Sequence, residues 1–352
     1  MKKFNKYTVI GVMSGTSLDG IDICKCYFNK DKNWTYRIEN GVTIKYSKKW
    51  IKTLNSLHTR DEKFINKINI EYAKLIGNEI NKFLEDNNSD IDFVASHGHT
   101  IFHQPENKIT LQIGDGQTIA NTTNLKTISN FRKLDVELNG QGAPLVPIGD
   151  LYLFKDYKYC LNLGGFSNLS IKKDNGIIAY DICPVNIILN YLSKKINLDY
   201  DKDGKIGKSG SINLDLLHKL NQIDYYKKPY PKSLSREWLE NEILNLDELK
   251  TLYIKDLLAT FYEHIGYQIG KKLKDNPVYI SGGGAKNKYL IHRIKKYSKS
   301  KIIIADQLNI DFKEAIIFGF LGVLKNRNEI NCLKDVTGAD RDSSSGEICY
   351  PK

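Results

Sequence analysis

Turns that contain glycine, placed between β-like segments, constrain the possible folds of this chain more than any other sequence feature. Near the start, an apolar run rich in β-forming residues (8–13) enters a Ser-Gly-Thr-Ser-Leu-Asp-Gly turn and continues into a second such run (21–28). The same order returns near the middle, where a predicted strand at 157–163 is followed by a Gly-Gly turn and another strand at 169–172. Two β runs joined by a glycine-bearing loop are typical of a hairpin. Each half of the chain is therefore predicted to open with a hairpin.

Helical spacing of apolar residues alternates with further short β-like runs along the rest of the chain. The predicted helices cover 61–85, 186–192, 247–273, 287–299 and 313–324, and the other predicted strands cover 34–46, 91–95, 177–180, 278–280 and 302–305. Residues 200–245 predict an irregular segment or lid. This order indicates the α/β class, with two related halves and a cleft between them. At roughly 100–200 residues per domain, 352 residues favour two domains, divided near Asn130 into 1–130 and 131–352.

Composition and charge narrow the class of protein. Hydrophobic residues make up 41% of the chain and charged residues 26%, which is typical of a globular protein and excludes global disorder. The net charge is +11, but only seven of the 52 basic residues are Arg, the residue preferred for base and phosphate contacts. We therefore predict a solvated lysine-rich surface and no nucleic-acid partner. Such a surface would still attract an anionic small substrate.

Targeting signals and cysteine pairs are not recognisable in the sequence. The six cysteines form no C-x-x-C pair. The apolar stretch at 9–13 is too short for the core of a signal peptide. The longest apolar run, 315–324, covers about half of a membrane span. We predict a cytoplasmic protein with no membrane partner.

Three glycine turns follow predicted strands, at 14–20, 164–168 and 281–284. Glycine lets backbone N–H groups approach phosphate closely, and successive N–H groups form an anion-binding nest. The alternative is that each turn only reverses the chain. No Walker P-loop or Rossmann fingerprint is present, so the prediction is that hairpin loops hold nucleotide phosphates. The hydroxyls and carboxylates of Thr16, Ser17, Asp19 and Asp22 can serve Mg²⁺, directly or through water.

One carboxylate and one histidine cluster are further candidates for chemistry. Asp181 follows the predicted strand at 177–180, and a carboxylate at the carboxyl end of a strand points into the crevice of an α/β protein. It can accept a proton from a water or hydroxyl nucleophile, or it can instead cap the following helix. His97, His99 and His103 have a spacing that a metallohydrolase can use, but no Asp-His follows. A sugar-facing role and structural hydrogen bonding are the other interpretations of these histidines.

Several segments together resemble the anhydro-N-acetylmuramic acid kinase family. The segments are Gly11-Val12-Met13-Ser14-Gly15-Thr16-Ser17-Leu18-Asp19-Gly20-Ile21-Asp22, Ser96-His97-Gly98-His99-Thr100-Ile101-Phe102-His103-Gln104-Pro105, Leu111-Gln112-Ile113-Gly114-Asp115-Gly116, Asn130-Phe131-Arg132-Lys133-Leu134-Asp135, Gly140-Gln141-Gly142-Ala143-Pro144-Leu145, Asn162-Leu163-Gly164-Gly165, Ser281-Gly282-Gly283-Gly284 and Glu314-Ala315. They span nearly the whole chain in the family's order, so the resemblance is highly specific.

The resemblance implies two RNase H-like lobes of the acetate kinase, sugar kinase, Hsp70 and actin type around a nucleotide cleft. It implies an ATP- and Mg²⁺-dependent reaction in which water opens the 1,6-anhydro bond of anhydro-N-acetylmuramic acid and O6 is phosphorylated. It also implies a homodimer that works in cell-wall recycling. In this picture residues 1–130 carry the first phosphate hairpin and the sugar-binding segment, and residues 131–352 carry the second phosphate hairpin, an adenosine loop and the catalytic aspartate.

The resemblance also implies residue roles. Asp181 would activate the attacking water, and no residue is assigned as a protein metal ligand. The sugar would be bound by His99, Gln104, Arg132 and Glu314. The nucleotide would be bound by Ser14, Gly15, Thr16, Ser17, Leu18, Asp19, Gly20, Ile21, Asp22, Gly164, Gly165, Gly282, Gly283 and Gly284.

The sequence departs from the family pattern beside the proposed base. The family commonly has Asp-Thr-Gly-Pro-Gly-Asn where this chain has Asp181-Ile182-Cys183-Pro184-Val185-Asn186. Both glycines are lost, so backbone freedom is expected to fall there. Two other functions remain open: another sugar or carboxylate kinase of the same fold, and a nucleic-acid or wall-fragment binding protein that uses its basic surface.

Overall fold

A computed structural model of the chain describes residues 5–15, 18–85, 90–174, 176–230 and 232–352. The strands of the described part are β1 (Lys6–Ser14), β2 (Ile21–Lys30), β3 (Trp34–Ile44), β4 (Phe93–Gln104), β5 (Ile109–Ile113), β6 (Thr127–Ser129), β7 (Tyr159–Leu163), β8 (Phe166–Lys173), β9 (Gly176–Pro184), β10 (Val278–Ser281), β11 (Ile302–Ile304) and β12 (Glu347–Cys349).

The α-helices alternate with these strands, and short 3₁₀ and π turns join several of them. The helices are α1 (Lys48–Ser56), α2 (Glu62–Glu85), α3 (Gly116–Thr123), α4 (Lys133–Glu137), α5 (Pro147–Leu153), α6 (Asn186–Lys194), α7 (Lys205–Ser209), α8 (Leu214–Gln222), α9 (Arg236–Leu239), α10 (Glu248–Thr251), α11 (Ile254–Gly270), α12 (Lys288–Tyr297), α13 (Gln307–Asn326) and α14 (Lys334–Thr337).

The chain divides into two compact units. The first unit comprises Met1–Leu153 and Phe312–Lys352. Its sheet has the strand order β12-β6-β4-β1-β2-β3, and β5 pairs with β4 outside that order. β1, β2 and β3 form an antiparallel meander, whereas β4 runs parallel to β1 and β6 runs parallel to β4.

The second unit, Phe154–Asp311, repeats this arrangement. Its strand order is β11-β10-β7-β8-β9. β7, β8 and β9 form the antiparallel meander, β10 runs parallel to β7, and β11 runs parallel to β10. A meander followed by two parallel strands is the arrangement of an RNase H-like lobe. The predicted fold class, an α/β protein with two related halves, is therefore confirmed.

The first unit extends past the expected boundary near Asn130 to Leu153. It also includes the C-terminal segment Phe312–Lys352, because α13 packs against β1 of this unit. This contact depends on Gly11, since a Cβ at that position would lie only 2.1 Å from the carbonyl oxygen of Ala315. Glycine is needed here for a close approach between a strand and a helix. The contact places Glu314, at the preceding position of α13, in the first unit.

Each unit has its own hydrophobic core. In the first unit, β1, β2 and β4 bury Ile10, Ile23 and Val94 against α2. In the second, α11 is buried along most of its length against β7, β9 and α12. Within the described residues, no helix is long and apolar enough to cross a membrane.

The secondary-structure predictions for 247–273 and 200–245 are wrong. The predicted helix at 247–273 is broken between α10 and α11, because Leu252 and Tyr253 adopt extended backbone angles. The predicted irregular segment at 200–245 contains α7, α8 and α9. Asn213 begins α8 by accepting a hydrogen bond from the N–H of Leu216 at 2.8 Å, which is a cap that the sequence could have indicated.

Candidate active site

A chain of hydroxyl groups lies at the end of β1 in the first unit. Ser14 pairs with His99 of β4, and its Oγ lies 3.2 Å from His99 Nδ1. The Tyr72 hydroxyl donates to Ser14 Oγ at 2.7 Å, and the Tyr46 hydroxyl lies 2.7 Å from Ser14 Oγ and 2.6 Å from the Tyr72 hydroxyl. Burial lowers the pKa of His99 to about 4, so its ring is neutral at pH 7. Ser14 can therefore donate to Nδ1, which leaves the ring proton of His99 on Nε2.

A cavity of about 230 Å³ opens beside His99. Its lining is mixed, with Leu18, Leu54 and Ile101 as apolar side chains and Asn55, His58, His99 and Thr100 as polar ones. This combination suits a small organic ligand that has both methyl and polar groups. His99 therefore lines a cavity, and its sugar-facing role stays a prediction. The sequence contained no signal for Leu54, Asn55 or His58.

The first glycine turn is described only in part, because Thr16 and Ser17 lie outside the described residues. Leu18 has a left-handed backbone, with φ of 60°, and its N–H donates to the carbonyl of Gly15 at 3.3 Å. Asp19 is exposed, while Gly20 and Ile21 are buried. Asp22 lies on β2, where its Oδ1 accepts a hydrogen bond from Thr43 at 2.6 Å.

Arg132 is held by two hydrogen bonds in the first unit. Its Nε donates to His97 Nε2 at 2.9 Å, and its Nη1 donates to the carbonyl of Gly142 at 2.6 Å. The other ring nitrogen of His97, Nδ1, lies 2.8 Å from the carbonyl of Gly98. Both ring nitrogens of His97 are therefore occupied, which removes it as a metal ligand. No group of three potential metal-ligating side chains lies together in the described part of the chain.

Arg132 and Asp22 belong to the electrostatic surroundings of Glu314. Glu314 keeps exposed surface, yet desolvation raises the pKa of its carboxyl group. Arg132 opposes this increase, and the negative charge of Asp22 adds to it. Gln104, in contrast, is exposed at the end of β4 and contacts Asn107 at 3.5 Å. Within the described residues, no hydrogen bond joins Gln104 to Arg132.

Asp181 lies within β9 of the second unit, opposite Asn168 of β8. The expectation that it ends a strand is wrong, because the strand continues to Pro184. Asp181 Oδ2 accepts a hydrogen bond from the N–H of Leu234 at 2.9 Å, and its carbonyl accepts one from the Tyr225 hydroxyl at 2.7 Å. Burial raises the pKa of the Asp181 carboxyl group, although the Leu234 hydrogen bond opposes the shift. A half-buried carboxylate with a raised pKa is a suitable proton acceptor.

The alternative role of Asp181 as a helix cap is wrong, since the cap position of α6 is Val185 and no side chain fills it. Val185 and Cys183 replace the two family glycines, and both side chains are fully buried in the core of the second unit. Val185 has φ of −127° and ψ of −96°, so its backbone lies outside the left-handed region that favours glycine. Ser167 Oγ braces the backbone of Cys183 by donating to its carbonyl at 3.0 Å. The two substitutions are therefore accommodated by packing.

The second and third glycine turns lie side by side in the second unit. Asn186, the first residue of α6, donates from Nδ2 to the carbonyl of Gly164 at 2.8 Å. A Cβ at Gly284 would lie 3.4 Å from Asn186 Oδ1 and 3.0 Å from the carbonyl of Leu163. Gly282 has φ of 81°, a backbone conformation that favours glycine. Asn186, which was not among the predicted binding residues, thus lies close to both turns. The remaining predicted glycines, Gly165 and Gly283, are exposed.

Known proteins resemble the chain over almost all of its length. The family model for anhydro-N-acetylmuramic acid kinase matches residues 7–351. An anhydro-N-acetylmuramic acid kinase of Aliivibrio fischeri is 33% identical, covering 97% of this chain and 98% of the relative. The same-named protein of Shewanella pealeana is 32% identical and covers 99% of both chains. A solved structure, the (R)-2-hydroxyglutaryl-CoA dehydratase component A of Acidaminococcus fermentans, is 10% identical, covers 88% of this chain and 95% of its own, and has a TM-score of 0.46.

The sequence relatives match this chain over nearly its full length. The fold itself is assigned from the strand order of this chain. The resemblance inferred from the sequence motifs is confirmed by the family match. The chain belongs to the anhydro-N-acetylmuramic acid kinase family.

Proposed function

We propose that this protein is an ATP-dependent kinase that opens the 1,6-anhydro ring of anhydro-N-acetylmuramic acid and phosphorylates O6. The products are N-acetylmuramic acid 6-phosphate and ADP. The observation that carries the proposal is membership of the family, whose model matches residues 7–351. The same proposal places the reaction in cell-wall recycling in the cytoplasm and assigns a homodimer, which light scattering of the purified protein tests.

The reaction makes two bonds and breaks two. The oxygen of water bonds to C1 of the sugar, and the C1–O6 bond breaks. O6 then bonds to the γ-phosphorus of ATP, and the bond from that phosphorus to ADP breaks. One proton of the attacking water must be removed, so the enzyme needs a base. The negative charge that develops on O6 is taken up by the phosphoryl group.

We assign the role of base to Asp181. Its carboxyl group is half-buried, and only Oδ2 has a hydrogen-bond partner within the described residues, the N–H of Leu234. The other oxygen can therefore accept the proton of water. Burial raises the pKa of this carboxyl group, which makes the carboxylate a stronger base than an exposed aspartate.

The first unit supplies the polar groups proposed to bind the sugar. Arg132 and Glu314 interact electrostatically, and His99 lines the 230 Å³ cavity. Gln104 is assigned to the sugar by the family motif alone. Neutral His99 can donate a hydrogen bond from Nε2 to a sugar oxygen without adding charge to the site.

The glycine turns are proposed to bind phosphate through backbone N–H groups. Asn186 donates to the carbonyl of Gly164, and a Cβ at Gly284 would lie 3.4 Å from Asn186 Oδ1, so Asn186 lies close to both turns. Mg²⁺ prefers oxygen ligands, and the Asp22 carboxylate, whose negative charge acts on the carboxyl group of Glu314, is assigned as one of its ligands. Bound Mg²⁺ would neutralise charge on the phosphate groups.

Incubation of the protein with ATP, Mg²⁺ and anhydro-N-acetylmuramic acid in H₂¹⁸O tests the proposal. Mass spectrometry should detect a reducing sugar phosphate with ¹⁸O at C1 and none in the phosphate. Label in the phosphate, or no product, would contradict the proposed reaction. Glucose, N-acetylglucosamine and N-acetylmuramic acid serve as alternative acceptors, and preferential phosphorylation of one of them would favour another kinase of this fold.

The variant Asp181→Asn tests the base. Asparagine can still accept the hydrogen bond from Leu234, so folding should be unchanged. Loss of a general base lowers turnover by about 10²–10⁴-fold. The matched control is Asp174→Asn, an exposed residue of the same β8–β9 hairpin, which should retain wild-type turnover. Near-normal turnover of Asp181→Asn would remove this residue from the role of base.

A further inference from the structure

His97 has a defined arrangement of ring protons. Its side chain is buried, with only 4% of its surface exposed, and its ring packs 4.5 Å from that of Phe318 between centroids. Nδ1 lies 2.8 Å from the carbonyl oxygen of Gly98, which can only accept a hydrogen bond. Nδ1 must therefore carry the proton, and Nε2 must present a lone pair. That lone pair accepts the N–H of Arg132 Nε at 2.9 Å.

The ring of His97 is also neutral. Burial is the main cause that holds its pKa well below the usual histidine value, and the positive charge of Arg132 lowers it further. Protonation would put an N–H at Nε2 opposite the N–H of Arg132, so it would break the hydrogen bond. The geometry and the charge state of His97 thus agree.

A second hydrogen bond holds the other side of the Arg132 guanidinium group. Arg132 Nη1 donates to the carbonyl of Gly142 at 2.6 Å. The buried Asp135 carboxylate positions this glycine, because Oδ2 accepts the N–H of Gly142 at 2.7 Å and Oδ1 accepts the hydroxyl of Thr337 at 2.8 Å. Asp135 thus anchors the loop, while the group that touches Arg132 is a neutral carbonyl.

Both groups that accept these hydrogen bonds, His97 Nε2 and the Gly142 carbonyl, carry no negative charge. A carboxylate in either place would form an ion pair with Arg132 and weaken its attraction to an anionic ligand. Neutral acceptors fix the orientation of the guanidinium group without adding to the negative charge that Glu314 and Asp135 already place near it. Nη2 makes no hydrogen bond with the described residues, so it is available to an outside group.

We propose that His97 is a positioning residue, which orients Arg132 through a neutral acceptor so that Nη2 presents a charged donor to an anionic group of the ligand. The inference rests on the proposed function, because it assumes that Arg132 binds the sugar substrate. His97 itself does not touch substrate and acts only through Arg132.

Three variants of His97 separate orientation from charge. Gln can place an acceptor oxygen at the position of Nε2, and His97→Gln should keep kcat/KM within about threefold of wild type. His97→Met fills the space without an acceptor, and misplacement of Arg132 should lower kcat/KM by about 10–100-fold. His97→Glu keeps an acceptor but adds negative charge, so KM for the anionic sugar should rise more than that of His97→Gln. The exposed His218→Met is the control and should resemble wild type.

A double-mutant cycle with Arg132→Ala provides the decisive kinetic comparison. If His97 acts through Arg132, the His97→Met change should lower kcat/KM by less than about twofold when Arg132 is already alanine. A full 10–100-fold effect in that background, or a Gln variant as impaired as the Met variant, would overturn the proposal. Melting temperatures of all variants identify any variant that loses activity by unfolding.

Nitrogen NMR of the full protein with ¹⁵N-labelled histidine tests the hydrogen bond between His97 and Arg132 without enzyme turnover. His97 should show a protonated Nδ1 and an unprotonated Nε2, and the Nε2 shift should change in Arg132→Ala. The opposite tautomer, or an unchanged shift, would overturn the proposal. If wild type fails to turn over the anhydro sugar while these shifts are found, the proposed function is wrong. The orientation of Arg132 by His97 is still supported in that case.

Discussion

The close contact between β1 and α13 allows a quantitative test of how the first unit positions Glu314. A Cβ at Gly11 would lie 2.1 Å from the Ala315 carbonyl oxygen, whereas real Cβ contacts are essentially never closer than 3.0 Å. Backbone atoms cannot rotate away as a side chain can, so Gly11→Ala must shift α13 by about 1 Å. The cost is about 2–3 kcal/mol, which for a unit of this size lowers the melting temperature by about 5–10 °C.

Gly319 provides the matched control, because it lies on α13 and faces the same strand. A Cβ there would lie 3.5 Å from Phe28 Cε2 and 3.7 Å from Gly11 Cα, which is ordinary van der Waals contact. Alanine also favours helix over glycine by about 1 kcal/mol, so Gly319→Ala should leave stability unchanged or raise it. Calorimetry and urea unfolding measure both variants, and KM for the sugar reports any movement of Glu314. Equal stability of the two variants would refute the reasoning.

Three further predictions concern single groups. Tyr72→Phe removes the hydroxyl that donates to Ser14 in a fully buried position, and should cost about 1–3 kcal/mol in urea unfolding. Val185→Gly or Cys183→Gly restores a family glycine but deletes a fully buried side chain, so each should destabilise the protein, by about 2–4 kcal/mol for Val185, and should not raise turnover. Because Asp181 must be deprotonated to act as a base and burial raises its pKa, kcat/KM should fall on the acid side with a midpoint above the ordinary aspartate value. That acid limb should be absent from Asp181→Asn.

The strands and the relation between the two halves could be predicted from local sequence, since glycine turns and β-forming runs are local signals. The bounds of β4 could not. The predicted strand ends at Ala95, but the observed one continues to Gln104, through Gly98 with φ of 75°. Its histidines are polar residues in a strand that is buried for much of its length, so hydrophobic patterning does not reveal them.

The break between α10 and α11 could not be predicted from local sequence either. Periodicity continues through Leu252 and Tyr253, but a Cβ at Gly210 would lie 2.1 Å from the carbonyl oxygen of Lys255, in the first turn of α11. Asp256 in that turn also accepts the N–H of Ser211 at 2.6 Å. A segment distant in sequence therefore packs against the start of α11. The spacing of apolar residues along the helix does not indicate this contact.

The site residues show why motif matching and geometry supply different information. The family motif identified Arg132, but its orientation depends on acceptors that have no chemical signature in the sequence. One is a backbone carbonyl, at Gly142, and the other is one nitrogen of His97, whose tautomer is decided by a neighbouring carbonyl. The histidine spacing that suggested a metal site therefore has another physical explanation. One of these rings is needed as a neutral acceptor, and only the fold shows which nitrogen faces the charge.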